Sequence, residues 1–182
     1  MSRKYKFLNP EGLYFVSFAT VNWVDILTRE EYFDIVVESL DFSRKNKGME
    51  IFAWCIMTNH VHLLMRCLQD PPEIVLGKIK EFTSRALVQA IADNPLESRK
   101  SWLIEMFQNA AAKTSNVSSL QLWQHHNQPI EVWSNHIIDQ KIDYIHENPV
   151  VAGFVQESWH WRYSSAIDYC GGKGVLEIDY IE

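Results

Sequence analysis

Cysteine is scarce: Cys55, Cys67 and Cys170 are the only three, and no two of them fall at a CxxC or similar spacing. So sparse and odd a count excludes a disulfide scaffold and a cysteine-built zinc site, and it points to reduced thiols in a cytosol. Long apolar runs are missing too. No stretch approaches the ~18 residues that a membrane span needs, and the opening Met-Ser-Arg-Lys-Tyr-Lys has no apolar signal-peptide core. The expectation is a soluble, cytoplasmic protein with no membrane partner. Excess positive charge is also lacking, since the net charge is −6. That balance weighs against a nucleic-acid partner without excluding a local basic surface. Residues 1–48 are in fact neutral, with seven basic and seven acidic side chains, and the acidic excess lies beyond them.

What is present suits one folded domain. The 182 residues are 47% apolar and 22% charged, enough chain to bury a real core. We expect a single domain over 1–182, with a core of about 10–170, a variable segment at 96–135 and an acidic tail at 171–182. Seven tryptophans, seven tyrosines and nine phenylalanines make it aromatic-rich, although aromatics fill cores before they fill sites.

Gly12–Thr20, rich in aromatic and β-branched residues, predicts a strand. Thr28-Arg-Glu-Glu31 offers a capping box for a helix whose buried stripe is Tyr32, Phe33, Val36, Val37 and Leu40, closed by Gly48. Met49–Met65 predicts two strands around a tight turn at Thr58-Asn59. Pro71-Pro72 opens a helix over 72–92, with Ile74, Ile79, Phe82, Leu87 and Ile91 on its apolar side. Trp102–Phe107 is apolar without a clear period, 110–120 reads as a loop, and 122–133 reads as a strand or ordered arm. Ser134 caps a last helix that buries Ile138, Ile142 and Ile145 and stops at Pro149. Strands and helices in this order predict an α+β fold: an antiparallel sheet with helices mainly on one face.

Two elements carry chemistry. On a strand, His60 and His62 share a face while Val61 and Leu63 pack the other way, and two neutral imidazoles make half of a divalent-metal site. The sequence does not continue as HxHxDH, and the chain is too short for an eight-fold βα barrel. On the last helix, Tyr144 and Asn148 lie four residues apart and project from one face, so an amide oxygen could join the two histidines around one ion beside a tyrosine. On spacing alone the alternative stands, a surface tyrosine followed by an ordinary Asn-Pro helix stop.

The two blocks Trp54-Cys-Ile-Met-Thr-Asn-His-Val-His-Leu-Leu-Met65 and Tyr144-Ile-His-Glu-Asn-Pro-Val-Val-Ala-Gly153 closely resemble the signatures of the HUH single-tyrosine transposases. The likeness is strongest to the REP-associated tyrosine transposases, relatives of the IS200-type enzymes. Gly12–Thr20, Leu122-Trp-Gln124 and Tyr163-Ser-Ser-Ala166 are secondary matches, and the resemblance spans roughly 10–170. It implies a ferredoxin-like α+β sheet, His60 and His62 as metal ligands, Asn148 as the third ligand and Tyr144 as nucleophile. Gln140 is a weaker candidate ligand, and Thr58 stands where most members have proline. The implied activity is site-specific cleavage and transfer of single-stranded DNA, with Mg²⁺ or Mn²⁺ as cofactor and a 5′-phosphotyrosine link as intermediate. A phenol with a pKa of about 10 needs such help, because only about a thousandth of it is ionised near neutrality.

The implied partner is single-stranded DNA folded as a hairpin, and a homodimer is left open. For the backbone the candidates are Arg3, Lys4 and Lys6 on an N-terminal arm, with Lys78, Lys80 and Arg85 on the second long helix. For stacking on bases they are Trp123, His125, His126 and Trp133. The rival readings are a domesticated nucleic-acid-binding module without turnover, and a metal phosphodiesterase that uses water in place of tyrosine.

Overall fold

The structure, a computed structural model, describes residues 6–113 and 119–181. Arg3 and Lys4, and residues 114–118 of the expected loop, lie outside the described residues. The chain runs β1 (Tyr14–Ala19), α1 (Glu30–Lys47), β2 (Met49–Ile56), β3 (His60–Cys67), α2 (Pro72–Asp93), α3 (Lys100–Ala112), β4 (Ile130–Glu131), α4 (Asn135–Val151) and a short α5 (Ala166–Tyr169). The strands form one antiparallel sheet in the order β2-β3-β1-β4. That is the ferredoxin-like α+β arrangement, with α3 added between α2 and β4.

Strand alternation sorts the apolar residues into two layers. Tyr14, Val16 and Phe18 of β1 and Val61, Leu63 and Met65 of β3 pack under α1 and α2, which bring Tyr32, Leu40, Leu76, Ile79 and Leu87. On the opposite face Phe15, Leu64 and Cys55 meet Ile138 and Ile145 of α4. Burial raises the thiol pKa of Cys55 well above its usual value. A bulge in β2 between Ile51 and Ala53 puts both Phe52 and Ala53 on the α4 side. The helices therefore lie mainly on one face, and α4 covers the other with help from Trp161 and from Tyr169 of α5.

Several local expectations are corrected. The Thr28 capping box does not form, because α1 starts one residue later, with Arg29 as N-cap and no side-chain cap. Thr28 Oγ instead accepts from the Arg99 guanidinium, and Glu31 accepts from Asn94. In α2 the buried stripe is Val75, Leu76, Ile79, Thr83, Leu87 and Ile91, while Ile74 and Phe82 are exposed. The periodicity admitted either phase, and the packing of α2 on α1 selects the one that puts Val75 and Leu76 inward. Trp102–Phe107 belongs to a full helix, α3. Pro149 sits inside α4, which continues to Val151. Ser134 caps α4 as expected, accepting from the Ile137 amide, and Gly48 closes α1 in the left-handed conformation at φ 62°.

The outer edge of β2 is covered by later parts of the chain. Tyr163 O accepts from the Ile56 amide, the Ser165 amide donates to Trp54 O, and the Asp179 amide donates to Ile51 O while its carboxylate accepts from the Ile51 amide. Asp179 also grips Arg44 through two contacts of 3.2 Å, and Leu176 and Ile178 are buried, so the acidic tail is built into the fold.

Candidate active site

The turn between β2 and β3 sets the first histidine. Asn59 donates through Nδ2 to Trp23 O (3.1 Å) and to Asp25 Oδ1 (3.0 Å), and Thr58 Oγ donates to the same carboxylate oxygen (2.5 Å). With its amide so oriented, Asn59 turns Oδ1 to His60 Nδ1 at 2.6 Å. An acceptor there requires that His60 Nδ1 carry the proton, which leaves Nε2 as a lone pair. Thr58 thus contributes a hydroxyl to the network that sets the tautomer.

Helix α4 supplies the facing groups. Asn148 donates Nδ2 to the Tyr144 carbonyl at 2.7 Å, which points its Oδ1 at His60 Nε2, 3.4 Å away. Two lone-pair donors therefore confront each other with no proton between them. His62 lies beside them, its ring centroid 4.6 Å from that of His60. It is 4% exposed, and neither of its ring nitrogens has a hydrogen-bond partner. Burial, followed by the neighbouring His60, pushes the His62 pKa down to about 3, so the ring is neutral. Burial also lowers the pKa of His60. An orphaned buried imidazole, an oriented imidazole lone pair and an amide oxygen are a donor set that fits a borderline or hard divalent cation. Among the described residues no group of three His, Cys, Asp or Glu side chains could hold a metal.

Tyr144 stands next to this cluster and is half exposed, at 51%. Its ring is held edge-on by His62 at 5.2 Å and by Phe15 at 5.8 Å between centroids. Lys141, one turn earlier on α4, places its ammonium 4.5 Å from the Phe15 ring centroid and 5.7 Å from that of Tyr144. About half of Tyr144 thus faces solvent beside the histidine cluster, with the Lys141 ammonium near its ring. α4 is tied down on its other flank, where His146 Nε2 lies 2.8 Å from Ser165 Oγ, which also accepts from the Trp54 amide at 2.9 Å. Burial lowers the His146 pKa to about 4.

Phe15, Asn59, Lys141, His146 and Ser165 were not singled out as site residues from sequence. Their neighbourhood was legible, since each sits in or beside a quoted block, but their roles depend on cross-strand and helix–sheet contacts that no spacing encodes. Gln140 is exposed and bonded to His136, away from the histidine pair.

The groups expected to meet DNA are spread out. Lys6, His125 and His126 line one shallow cleft. Arg85, Lys80 and His125 line a groove between α2 and residues 119–127. Lys80 is committed within it: its ammonium donates to Gln124 O at 2.6 Å and Asn127 Oδ1 at 2.7 Å, and burial lowers its pKa to about 8. Lys78 is paired with Glu81, and Arg85 lies 3.8 Å from the same carboxylate. Trp123 is 4% exposed, donates its indole N–H to Thr83 and packs on Phe18, so it has no free face on which to stack a base. Trp133, by contrast, is 80% exposed.

The family model described as "Transposase IS200 like" matches residues 18–109 of the chain. A solved structure of a REP-associated tyrosine transposase bound to a REP hairpin aligns over 100% of this chain and 94% of its own, at 17% identity and a TM-score of 0.66. A crystal structure from Deinococcus radiodurans R1, described as a candidate transposase, covers 79% of this chain and 95% of its own, at 20% identity and a TM-score of 0.46. The first similarity supports the fold, and the second is too loose to build on. No curated protein matches the chain.

Proposed function

The chain belongs to the IS200-like transposase family, and from that membership we propose that it is a metal-dependent endonuclease and strand transferase acting on single-stranded DNA, with Tyr144 as its nucleophile. The observation that carries the reading is the confrontation of Asn148 Oδ1 with His60 Nε2, beside the unpartnered His62 and on the helix that presents Tyr144. His60, His62 and Asn148 would hold Mg²⁺ or Mn²⁺. A cation so held supplies Lewis-acid stabilisation of charge on the scissile phosphate. The hairpin bound by the structural relative supports a hairpin as the substrate form here.

Each residue of the chain then has a task. Asn59 holds the His60 tautomer, and Asn148 both donates to its own helix and offers an oxygen. Phe15 and His62 fix the ring of Tyr144, so the phenol oxygen meets phosphorus with little entropy left to lose. Attack forms an O–P bond to Tyr144 and breaks the bond from phosphorus to the departing 3′-oxygen. The products are a 5′-phosphotyrosine link and a free 3′-hydroxyl. Phosphorus keeps its ester count, so a second 3′-hydroxyl can reverse the step and join strands without ATP. The Lys141 ammonium, 5.7 Å from the Tyr144 ring centroid, draws the phosphate by simple Coulomb attraction.

The test uses purified protein, Mn²⁺ and labelled single-stranded hairpin oligonucleotides on a denaturing gel. A labelled band at protein mass is expected. It should disappear in Tyr144→Phe while native-gel binding persists. An adduct that persists in Tyr144→Phe would remove Tyr144 from the role, and cleavage without any adduct would favour water as the nucleophile.

A further inference from the structure

Next to the histidine pair, the chain between β1 and α1 makes a turn at Val21–Trp23 in which two successive non-glycine residues are left-handed, Asn22 at φ 56° and Trp23 at φ 54°. L-residues rarely adopt this conformation singly, and here two do so in a row. The turn is held by several bonds: Thr20 Oγ donates to Val24 O, the Val21 amide donates to Leu122 O, and Asn59 donates to Trp23 O. The outcome is an indole left 55% exposed, its ring centroid 5.6 Å from that of His60 in an edge-to-face arrangement. The core tryptophans Trp54 and Trp123 show that this fold can bury such rings, at 0% and 4% exposure.

Across from it, α3 presents Trp102, Glu105, Met106 and Asn109, which lie at helical spacing along one face. Trp102 is 53% exposed. Together with the Val21–Trp23 turn they line a cleft of about 640 Å³, within the size range of small-ligand sites. The lining pairs two indoles and a thioether with an amide, the Glu105 carboxylate and the Lys113 ammonium. A base suits that mixture: it has a face to stack on an indole, N–H groups to donate to a carboxylate and, in guanine, a carbonyl oxygen to accept from an ammonium.

We propose that this cleft is a subsite for one unpaired nucleobase of the single strand, stacked on Trp23 and Trp102 and selected by Glu105 for guanine, whose adjacent N1–H and amino group match both oxygens of one carboxylate. The inference rests on the single-strand reading above. It adds the place where the strand next to the scissile phosphate is read: Trp23 touches His60 through its ring and Asn59 through its carbonyl, so a base on Trp23 lies one side chain from the reacting centre. Trp23 and Trp102 act as stacking groups, and Glu105 sets specificity.

The experiment is a binding selection, which needs no turnover. Full-length protein retains DNA on a filter from a pool with a fixed hairpin and randomised single-stranded flanks, and the retained strands are sequenced. Wild-type protein should enrich guanine over the other bases at one flank position. Glu105→Gln should flatten that position while enrichment elsewhere persists. Trp23→Ala and Trp102→Ala should each weaken binding by about tenfold to a hundredfold, the range for loss of one base–aromatic stack. Trp102→Phe, which keeps a ring, should recover most of it. Unchanged base preference in Glu105→Gln together with unchanged affinity in Trp102→Ala would overturn the subsite, as would an affinity loss in Trp102→Ala that Trp102→Phe fails to rescue. A retained pool that never gives the covalent band would fail the transesterase reading and leave the subsite standing.

Discussion

Replacing Ser165 by alanine tests how α4 is locked to the sheet. The hydroxyl is fully buried, accepts from the Trp54 amide at 2.9 Å and lies 2.8 Å from His146 Nε2. Trp54 is on the outer edge of β2, so no neighbouring strand can take over its N–H. Alanine leaves two buried polar groups without partners, and each such loss costs about 1–3 kcal/mol. We expect a destabilisation of about 2–4 kcal/mol, allowing for partial relaxation. With an m-value of about 2 kcal/mol/M for urea, the unfolding midpoint should fall by about 1–2 M at unchanged m. Ser43→Ala is the control. Ser43 is also buried, but its hydroxyl bonds only to Ser39 O within α1, and the change should cost less than about 1 kcal/mol. A Ser165→Ala stability within about 0.5 kcal/mol of wild type would refute the clamp, and with it the claim that His146 and Trp54 depend on this hydroxyl.

Three further outcomes are expected. His146 takes up a proton only near pH 4 in the folded chain but near 6.5 when unfolded, so the unfolded state binds more protons between these values. Stability should therefore fall as pH drops from about 6.5 and, for this group, level off below about 4, a loss of at most about 3 kcal/mol. His146→Gln should shrink the difference between pH 7 and pH 4 in urea unfolding by that order, and an unchanged difference would assign the acid sensitivity to other groups. Asn148→Ala should weaken Mn²⁺ binding, followed by electron paramagnetic resonance of the free ion, by at least about tenfold, and equal affinity would remove Asn148 from the ligand set. Asp179→Ala strips Arg44 of a two-point partner and Ile51 of its acceptor, and should cost about 2–3 kcal/mol in thermal or urea unfolding. A loss under about 0.5 kcal/mol would show the tail to be merely resting on the fold.

Where the chain obeys one strong periodicity, the sequence could be read directly. His60 and His62 alternate with Val61 and Leu63 across β3, and the structure puts the former towards α4 and the latter into the other layer. Tyr144 and Asn148 share a helix face for the same elementary reason. Where two readings were nearly equal, tertiary packing decided. Ile74 and Phe82 are as apolar as Val75 and Leu76, and only contact with α1 chooses between them. Trp123 resembled a platform by composition, yet Thr83 supplies a partner for its indole N–H and makes burial favourable. Lys80 looked like a phosphate contact, but carbonyls of a segment some forty residues away claim its ammonium. The network from Asp25 through Asn59 to His60 was illegible for the same reason, because it joins a loop to a turn across more than thirty residues.

The covering of β2 bears on how copies of this protein can meet. An open strand edge is a template on which another chain can add itself, in dimers and aggregates alike. Here the long outer strand carries its own lid, Tyr163–Ser165 at one end and Asp179 at the other, and the opposite border of the sheet is the two-residue β4. Among the described residues, a sheet continuous across two copies therefore has the short Ile130–Glu131 border on which to grow without first peeling the tail away. A tag or fusion placed after residue 182 pulls on the segment that holds the other border shut. Its first symptom would be self-association, appearing while the histidine pair and Tyr144 are still in place.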